Sequence, residues 1–254
     1  MTDMFSLDGR VALVTGGSRG LGFAMAKSLA VAGAHVVICA RGAEALDEAA
    51  ATIAAAGGRA TALAFDVTDE AAAVSAVRQI RGDHGRLDVL INNAGTLHPA
   101  PVVETETMDW HRVIDTNLNA LFVLSREAAR PMIEHGFGRI ISIASILSLL
   151  ARPGIPSYVT TKHAIIGLTK ALAVELGPSG ITANAIAPGY FRTEINVGLQ
   201  NDPAFTKMIE TRCPVGRWGE PGELAGTVVY LASEAAAFVN GHTLVIDGGL
   251  SVNL

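Results

Sequence analysis

The stretch VALVTGGSRGLG, residues 11–22, decides the fold of this 254-residue chain. Its first five residues are apolar or β-branched and predict a buried strand. The glycines at 16, 20 and 22 then permit a tight turn and a close approach of the backbone to a ligand. An amphipathic segment over 21–33 predicts a helix, whose free N–H groups and positive dipole end suit a pyrophosphate. The stretch therefore predicts a strand, a phosphate-binding turn and a helix.

Short apolar runs alternate with longer amphipathic segments along the whole chain. Strands are predicted at Val11–Thr15, His35–Ala40, Ala60–Phe65, Val89–Asn92, Arg139–Ile143, Thr182–Ala187 and Thr243–Ile246. Helices are predicted near 21–33, 43–56, 69–82, 107–134, 157–177 and 222–233. Because most of the strands are continuously apolar, helices should cover both faces of a parallel sheet. We expect an α/β fold with a single Rossmann-type, doubly wound sheet of about seven strands in one domain, residues 1–254.

Composition excludes several classes of protein. With 19 basic and 24 acidic residues the net charge is −5, which disfavours nucleic acid or anionic lipid as a partner. The apolar run 140–151 is shorter than a bilayer span of about 18 residues, and the N-terminus has no signal-peptide pattern. Cys39 and Cys213 form no metal or redox motif, and the seven histidines show no ligand spacing. We expect a soluble cytoplasmic protein without a catalytic metal.

The glycine-rich loop allows two further interpretations. It is not a Walker A sequence, because no Gly-Lys-Ser/Thr ends it. Gly16-x-Ser18-x-Gly20 formally matches the nucleophile elbow of serine hydrolases, with Ser18 as nucleophile. That fold requires earlier strands to supply an oxyanion hole, and only a short segment precedes this loop. The dinucleotide interpretation is therefore favoured over the hydrolase.

The second predicted strand ends at Ala40-Arg41 and offers no acidic residue there. In dinucleotide-binding folds an acid near this position holds the ribose 2′-hydroxyl of NAD, whereas an arginine accommodates the 2′-phosphate of NADP. Arg41 and the loop residue Arg19 could both face such a phosphate. The sequence therefore favours NADP(H), with NAD(H) possible.

Tyr158 and Lys162 lie four residues apart on the predicted helix 157–177 and so share one helix face. An ammonium group near a phenol favours the phenolate and lowers its pKa from about 10. We expect this pair to supply a general acid/base near neutral pH.

Several motifs recur in the order and spacing of one family. These are TGGSRGLG (15–22), Asp66-Val67 after the third strand, Asn92-Asn93-Ala94-Gly95, Asn117, Ser145 thirteen residues before Tyr158, Pro188-Gly189 and Thr193. Over residues 7 to 249 the chain resembles the short-chain dehydrogenase/reductase family. The resemblance implies a cofactor half over 7–140 and a catalytic and substrate half over 140–254.

The resemblance implies a role for each matching residue. Tyr158 would exchange a proton with the substrate oxygen, Ser145 would hydrogen-bond it, and Lys162 would hold the nicotinamide ribose. Asn117 would bind a water behind Lys162 in a proton relay. Ser142 and Ser148 are rivals for the serine role, but both are interpreted as structural. The implied cofactor residues are Gly16, Ser18, Arg19, Gly20, Leu21, Gly22, Arg41, Asp66, Val67, Asn93, Ala94, Gly95, Tyr158, Lys162, Pro188, Gly189 and Thr193.

Three further stretches of sequence indicate the substrate. PGYFRTE (188–194), PVGRWGEPGEL (214–224) and FVNGHTLVIDGG (238–249) resemble the gluconate 5-dehydrogenase branch of the family. A sugar acid carries a carboxylate, so a basic pocket residue would help to bind it. Besides Ser145 and Tyr158, the candidate substrate residues are His98, Arg152 and Tyr190.

The leading hypothesis is an NADP(H)-dependent oxidoreductase that transfers hydride between nicotinamide and the ketone or secondary alcohol of a polyol or sugar acid, of the gluconate/5-ketogluconate type. A 3-oxoacyl-carrier-protein reductase or another carbonyl reductase is the alternative within the class. A non-catalytic nucleotide-binding regulator is the alternative outside it. Family resemblance also implies a homotetramer or dimer, formed through helices 107–134 and 157–177.

Overall fold

The computed structural model describes residues 4–253 of the chain. Its described strands form one parallel sheet in the order β3-β2-β1-β4-β5-β6-β7. The strands are β1 (Val11–Thr15), β2 (His35–Ala40), β3 (Arg59–Ala64), β4 (Val89–Asn92), β5 (Gly138–Ile143), β6 (Ile181–Pro188) and β7 (Thr243–Ile246). The predicted doubly wound sheet is therefore confirmed, and no predicted strand is displaced by more than one residue at either end.

The helices run between these strands. They are α1 (Gly20–Val31), α2 (Ala43–Ala55), α3 (Glu70–His84), α4 (Thr107–Ile114), α5 (Ala120–His135), α6 (Pro156–Leu176), α7 (Val197–Gln200), α8 (Pro203–Arg212) and α9 (Ala225–Ala232). Within residues 4–253, no helix has both the length and the apolar character that crossing a bilayer requires.

The core forms one layer on each face of the sheet. On one face, α1, α2 and α9 pack on β1, β2, β4 and β5 through residues such as Met25, Ile53 and Val228. On the other face, α3, α5 and α6 pack on the same sheet through residues such as Val77 and Leu124. Both faces of the inner strands are therefore buried, which explains why their sequences are apolar without alternation, whereas the edge strands β3 and β7 are only partly buried.

Residue types typical of helix caps stand at the ends of several helices. The Asp69 carboxylate accepts a hydrogen bond from the Ala72 N–H at 3.0 Å and caps α3. Gly33 and Gly57 follow the ends of α1 and α2 with φ of +108° and +83°, where side chains are disfavoured. These residues mark where α3 begins and where α1 and α2 end.

The helix predicted over 107–134 is not continuous as an α-helix. Residues Asp115–Asn119 form a π-helical turn between α4 and α5. Hydrophobic periodicity cannot reveal such a turn, because it inserts one residue without ending the helix. The helix predicted over 222–233 begins with a 3₁₀ turn, Pro221–Leu224, before α9. The short helices α7 and α8 are absent from the prediction.

The order of the strands in the sheet determines where the ligand-binding crevice lies. From β1 the chain builds outward to β2 and β3, and then returns to β4 on the other side of β1. Adjacent loops after β1 and β4 therefore diverge and open a crevice at the carboxyl ends of the strands, where such sheets bind ligands. A cavity of about 1300 Å³ lies in this crevice.

Candidate active site

The large cavity gathers residues that are far apart in sequence. Of the predicted site residues, all except Asn117 and His98 line it. The glycine loop after β1 lies at one end, and Ser145, Tyr158 and Lys162 lie at the other. The structure thus brings the predicted cofactor and catalytic residues into a single crevice.

The glycine loop fits a dinucleotide phosphate because its backbone admits no side chain. Gly16 and Gly20 have φ of +63° and +56°, in the left-handed region. A Cβ atom on Gly22 would collide with the carbonyl oxygen of Gly16 and lie 2.5 Å from the Asn93 side-chain nitrogen. The first turn of α1 can therefore approach a bound pyrophosphate closely, with its N–H groups directed into the cavity.

Asn93 holds this loop from the neighbouring strand. Its side-chain amide donates to the carbonyl oxygens of Thr15 at 2.8 Å and Gly16 at 3.2 Å. In return, the Thr15 hydroxyl accepts hydrogen bonds from the N–H groups of Asn93 and Ala94, both at 2.9 Å. The Asn-Asn-Ala-Gly motif thus stabilises the shape of the phosphate-binding turn.

The far end of the crevice carries the residues predicted to select the cofactor. Arg19 and Arg41 are exposed there, and Asp66 lies at the end of the third strand. Hydrogen bonds from the N–H and hydroxyl of Thr68 hold the pKa of Asp66 below its usual range, and the charge of Arg41 adds to this effect. Two cations and one carboxylate acceptor fit the phosphate and the adenine side of NADP.

Ser145 and Tyr158 meet at the catalytic end. Ser145 follows β5 as the N-cap of a 3₁₀ turn, where its hydroxyl accepts from the N–H of Leu147 at 3.1 Å. Tyr158 lies in the first turn of α6, which begins at Pro156. The Ser145 hydroxyl lies close enough to the Tyr158 phenol to lower its pKa. A substrate oxygen at this point can therefore contact both groups.

Lys162 lies one helical turn beyond Tyr158 and is only 5% exposed. Its ammonium group donates to the carbonyl oxygen of Ile143 at 2.6 Å and lies 5.4 Å from the centre of the Tyr158 ring. Burial lowers the pKa of Lys162 to about 8, because the interior disfavours its charged form. The two predicted catalytic side chains thus share one helix face, as expected.

The predicted lowering of the Tyr158 pKa is wrong for this structure. Burial of the phenol raises its pKa, and this effect is larger than the opposing hydrogen bond from Ser145. Tyr190 raises the pKa further, whereas the positive charge of Arg152 lowers it. A raised pKa keeps the phenol protonated at neutral pH, which suits a proton donor to a ketone oxygen.

Asn117 lies behind the cavity and is 1% exposed. Its side-chain oxygen accepts from the Thr96 N–H at 2.8 Å, and its amide donates to the Thr96 carbonyl oxygen at 2.9 Å. The amide also donates to the Thr161 hydroxyl at 3.2 Å. The side chain of Asn117 therefore ties the π-helical turn to α6 and to the loop after β4.

The two predicted basic substrate residues have different surroundings. The His98 ring lies outside the cavity lining, with one nitrogen 3.4 Å from Asp109 and the other 3.2 Å from Arg112. The structure thus gives His98 polar partners on α4 and does not place it with Ser145 and Tyr158. Arg152, by contrast, lines the catalytic end of the cavity.

An aromatic cluster lies at this end, and Tyr190 is its member that lines the cavity. Tyr190 packs edge-on against Phe205 and Trp218, with ring centres 5.3 and 5.7 Å away. Phe205 belongs to α8, which the sequence analysis missed, although Asp202-Pro203 is a standard N-cap and first-turn signal. The cluster holds the segment 190–219 over the cavity.

The other serines considered for a catalytic role either lie outside the cavity or lack a catalytic partner. Ser148 accepts from the Ser145 N–H at 3.3 Å, Ser142 is buried within β5, and neither lines the cavity. Ser18 lines the cofactor end, and within residues 4–253 its hydroxyl has no histidine partner. In the described part of the chain, no group of three His, Cys, Asp or Glu side chains could hold a metal ion.

Further lining residues come from the loop after β4 and from α4 with the π-helical turn. The sequence gives no signal for them, because nothing in it shows which face of that helix meets the crevice. They include Thr96, Leu97, Pro99, Met108, His111, Arg112, Asp115 and Thr116.

Comparisons with known proteins agree with this geometry. A short-chain dehydrogenase family model, described as enoyl-(acyl carrier protein) reductase, matches residues 16–251. The chain is 47% identical over 252 residues to gluconate 5-dehydrogenase of Gluconobacter oxydans, covering 99% of this chain and 98% of the relative. It is 41% identical to 5-keto-D-gluconate 5-reductase of Escherichia coli K12, covering 99% of each.

A solved structure has the same fold over the whole chain. It is a gluconate 5-dehydrogenase from Burkholderia cenocepacia J2315 in complex with NADP and tartrate. The two chains are 43% identical and superpose with a TM-score of 0.96, over 99% of each. From the matching family model, the full-length relatives and the shared crevice, this chain belongs to the short-chain dehydrogenase/reductase family.

Proposed function

We propose that this protein is an NADP(H)-dependent oxidoreductase that interconverts a secondary alcohol and a ketone in a sugar acid. Gluconate and 5-ketogluconate are the first pair to test. One observation carries the proposal: Ser145, Tyr158 and Lys162 converge in the same crevice as the glycine loop. A proton donor and a dinucleotide site in one cavity are what carbonyl reduction requires.

Bound NADPH supplies hydride chemistry, and the chain supplies position and proton transfer. In the direction of reduction, the Tyr158 phenol donates its proton to the substrate oxygen as the carbonyl carbon accepts hydride. The Ser145 hydroxyl donates a hydrogen bond to the same oxygen and fixes its position. The buried Lys162 ammonium holds the ribose and stabilises negative charge on the phenol oxygen.

The choice of NADP(H) over NAD(H) rests on charge at the far end of the crevice. Arg19 and Arg41 are two cations without an ion-pair partner among residues 4–253, and Asp66 stands beside Arg41. Arginine pairs well with phosphate through bidentate hydrogen bonds. The Burkholderia structure described above contains NADP, which supports the same choice.

The choice of a sugar acid rests on the relatives. Both named relatives act on gluconate or 5-ketogluconate by their names, and they match this chain over nearly its whole length. Polar groups and a cation at the catalytic end agree with a hydroxylated, anionic substrate. No observation in the structure favours the carrier-protein reductase in the same way.

The test is an assay of the purified protein with NADPH and a panel of carbonyl compounds, followed by loss of NADPH absorbance. We expect the highest kcat/KM for 5-ketogluconate, with lower values for neutral ketoses and for 3-oxoacyl thioesters. A preference for the thioester would replace the sugar-acid function with the carrier-protein reductase. Tight NADPH binding without turnover of any carbonyl would instead support a nucleotide-binding regulator.

We also infer a homotetramer or dimer in the cytoplasm, built from one domain with a cofactor half and a catalytic half. Exposed apolar side chains on α5 and α6, including Phe122, Ile133 and Val174, support an assembly that covers them. Sedimentation velocity tests this inference: a tetramer or dimer is expected, and a monomer at micromolar concentration would contradict it.

A further inference from the structure

Three arginines line the cavity without an ion pair to any carboxylate within residues 4–253: Arg19, Arg41 and Arg152. Arg112 also lines it, but pairs with Asp109 at 2.8 Å. Arg19 and Arg41 stand at the cofactor end and are assigned to the phosphate of NADP. Arg152 stands at the catalytic end with Ser145 and Tyr158, away from the glycine loop, so its charge requires another explanation.

The surroundings of Arg152 are those of a binding site and not of an open surface. The side chain is half-buried, on the segment between Ser145 and Tyr158. Its guanidinium lies 6.0 Å from the centre of the Phe205 ring, beside the aromatic cluster. It is also close enough to the Tyr158 phenol for its charge to act on that group.

Acidic residues in the cavity do not neutralise Arg152. Glu194 lies beside the glycine loop, with a carboxylate oxygen 3.4 Å from the Cβ position of Gly20. Asp115 accepts a hydrogen bond from the Asn119 amide at 2.7 Å. A half-buried guanidinium loses hydration without gaining a counter-charge, which is unfavourable unless a ligand supplies the anion.

We propose that Arg152 binds the carboxylate of the substrate, and so selects anionic over neutral carbonyl compounds and sets which carbon is reduced. This inference rests on the proposed function and names a residue for its specificity. Arginine holds a carboxylate through two parallel hydrogen bonds, which fixes orientation as well as position.

The position of Arg152 explains how a carbon distant from the substrate carboxylate reaches Ser145 and Tyr158. In 5-ketogluconate the carboxylate and the ketone stand at opposite parts of one short chain. If Arg152 holds the carboxylate, the ketone is presented to Ser145 and Tyr158, which line the same end of the cavity. Binding energy from the non-reacting carboxylate is then used to orient the reacting carbon.

The experiment compares an acid with its neutral analogue. The kcat/KM of NADPH-dependent reduction is measured for 5-ketogluconate and for its primary amide, with wild type, Arg152→Gln, Arg152→Lys and Arg78→Gln. Arg78 is exposed on α3 and outside the cavity, so Arg78→Gln controls for loss of one positive charge. NADPH binding and the melting temperature show whether each variant is folded.

For Arg152→Gln we expect the ratio of acid to amide kcat/KM to fall by about 10- to 100-fold, mainly through KM for the acid. Arg152→Lys should recover part of the ratio, because it keeps the charge but loses the bidentate geometry. Arg78→Gln should keep the wild-type ratio. An equal fall for acid and amide in Arg152→Gln would overturn the proposal, since Arg152 would then act only through Tyr158 or the fold.

The two proposals can fail separately. A wild-type enzyme that reduces other ketones but not 5-ketogluconate would overturn the sugar-acid function. The ratio is then measured on a reducible keto acid and its amide, and an unchanged ratio in Arg152→Gln would overturn the role of Arg152. If Arg152→Gln does not fold, the same comparison is made with Arg152→Lys, for which a smaller fall in the ratio is expected.

Discussion

The Thr161 hydroxyl joins two parts of the site: it accepts a hydrogen bond from the Asn117 amide at 3.2 Å and donates to the Tyr158 carbonyl oxygen at 2.9 Å. Thr161 is fully buried, and Asn117 lies in the π-helical turn. The contact therefore fixes the first turn of α6, which carries Tyr158, against the turn between α4 and α5. π-Helical turns are often found at functional sites, where they present such groups.

Thr161→Val should remove this connection while keeping the volume of the side chain. We expect kcat to fall by about 3- to 10-fold, because one buried hydrogen bond is lost and the Tyr158 phenol is held less firmly. KM for NADPH should change little. Thr161→Ser, which keeps the hydroxyl, is the matched control and should recover most of the activity. Equal kcat in Thr161→Val and wild type would show that the contact does not position Tyr158.

Lys162→Met should make the protein more stable at neutral pH while abolishing activity. The pKa of Lys162 is lowered from 10.5 to about 8 by burial. Below pH 8 the ammonium is charged in both folded and unfolded states, so the folded state bears the full penalty of burying it, about 3 kcal/mol. Because Met leaves the Ile143 carbonyl oxygen without its donor, we expect a net gain of about 1–3 kcal/mol at pH 7.

The pH dependence of this gain in stability tests its cause, the burial of the Lys162 ammonium, more directly than its size. Between pH 8 and 10.5 the folded-state amine loses its proton first, so the penalty in the wild type shrinks as the pH rises. Denaturant unfolding at pH 7 and at pH 10 should therefore show a larger advantage for Lys162→Met at pH 7. An advantage that stays constant or grows with pH would contradict the assigned cause.

Gly22→Ala should weaken binding of the dinucleotide while the protein still folds. The new Cβ would collide with the Gly16 carbonyl oxygen and crowd the Asn93 amide that holds the loop. We expect a loss of stability of about 1–3 kcal/mol and NADPH binding weakened at least about 10-fold, by calorimetric titration. Gly82 is an exposed residue of α3, and a Cβ atom there would have no neighbour within 4 Å. Gly82→Ala is therefore the control and should bind NADPH normally.

Arg41→Asp should shift the cofactor preference from NADP(H) towards NAD(H). The substitution removes a cation suited to the 2′-phosphate and places a carboxylate where a ribose hydroxyl can be bound. We expect the ratio of kcat/KM for NADPH to that for NADH to fall by about 100-fold or more. An unchanged ratio would remove Arg41 from the phosphate site and leave that role to Arg19.

Much of the fold could be read from the sequence because its signals are local. The apolar runs predict all seven strands of the described residues, and Asp69, Gly33 and Gly57 are of types typical of helix caps. The helix α8 is absent from the prediction, although Asp202 caps its N-terminus. The π-helical turn has no periodic signature in the sequence, and the hydrogen bonds of its Asn117 side chain cross to other elements.

For the site, sequence motifs identified which residues meet but not their surroundings. Ser145, Tyr158 and Lys162 converge as predicted because β5 and α6 are adjacent elements. His98 was expected near the substrate, yet it turns to Asp109 on α4, a contact that depends on packing. Likewise, the pKa of Tyr158 depends on how deeply the phenol is buried, which no helical spacing can show.

The central claim is that Tyr158 donates the proton during carbonyl reduction, and Tyr158→Phe tests it most directly. The variant loses one hydroxyl and keeps the ring, so NADPH should bind with unchanged affinity in a calorimetric titration. In a single-turnover experiment with 5-ketogluconate, or with the ketone that the wild type reduces best, we expect hydride transfer to slow by about 10²- to 10⁴-fold. Unchanged hydride transfer in Tyr158→Phe would contradict the account.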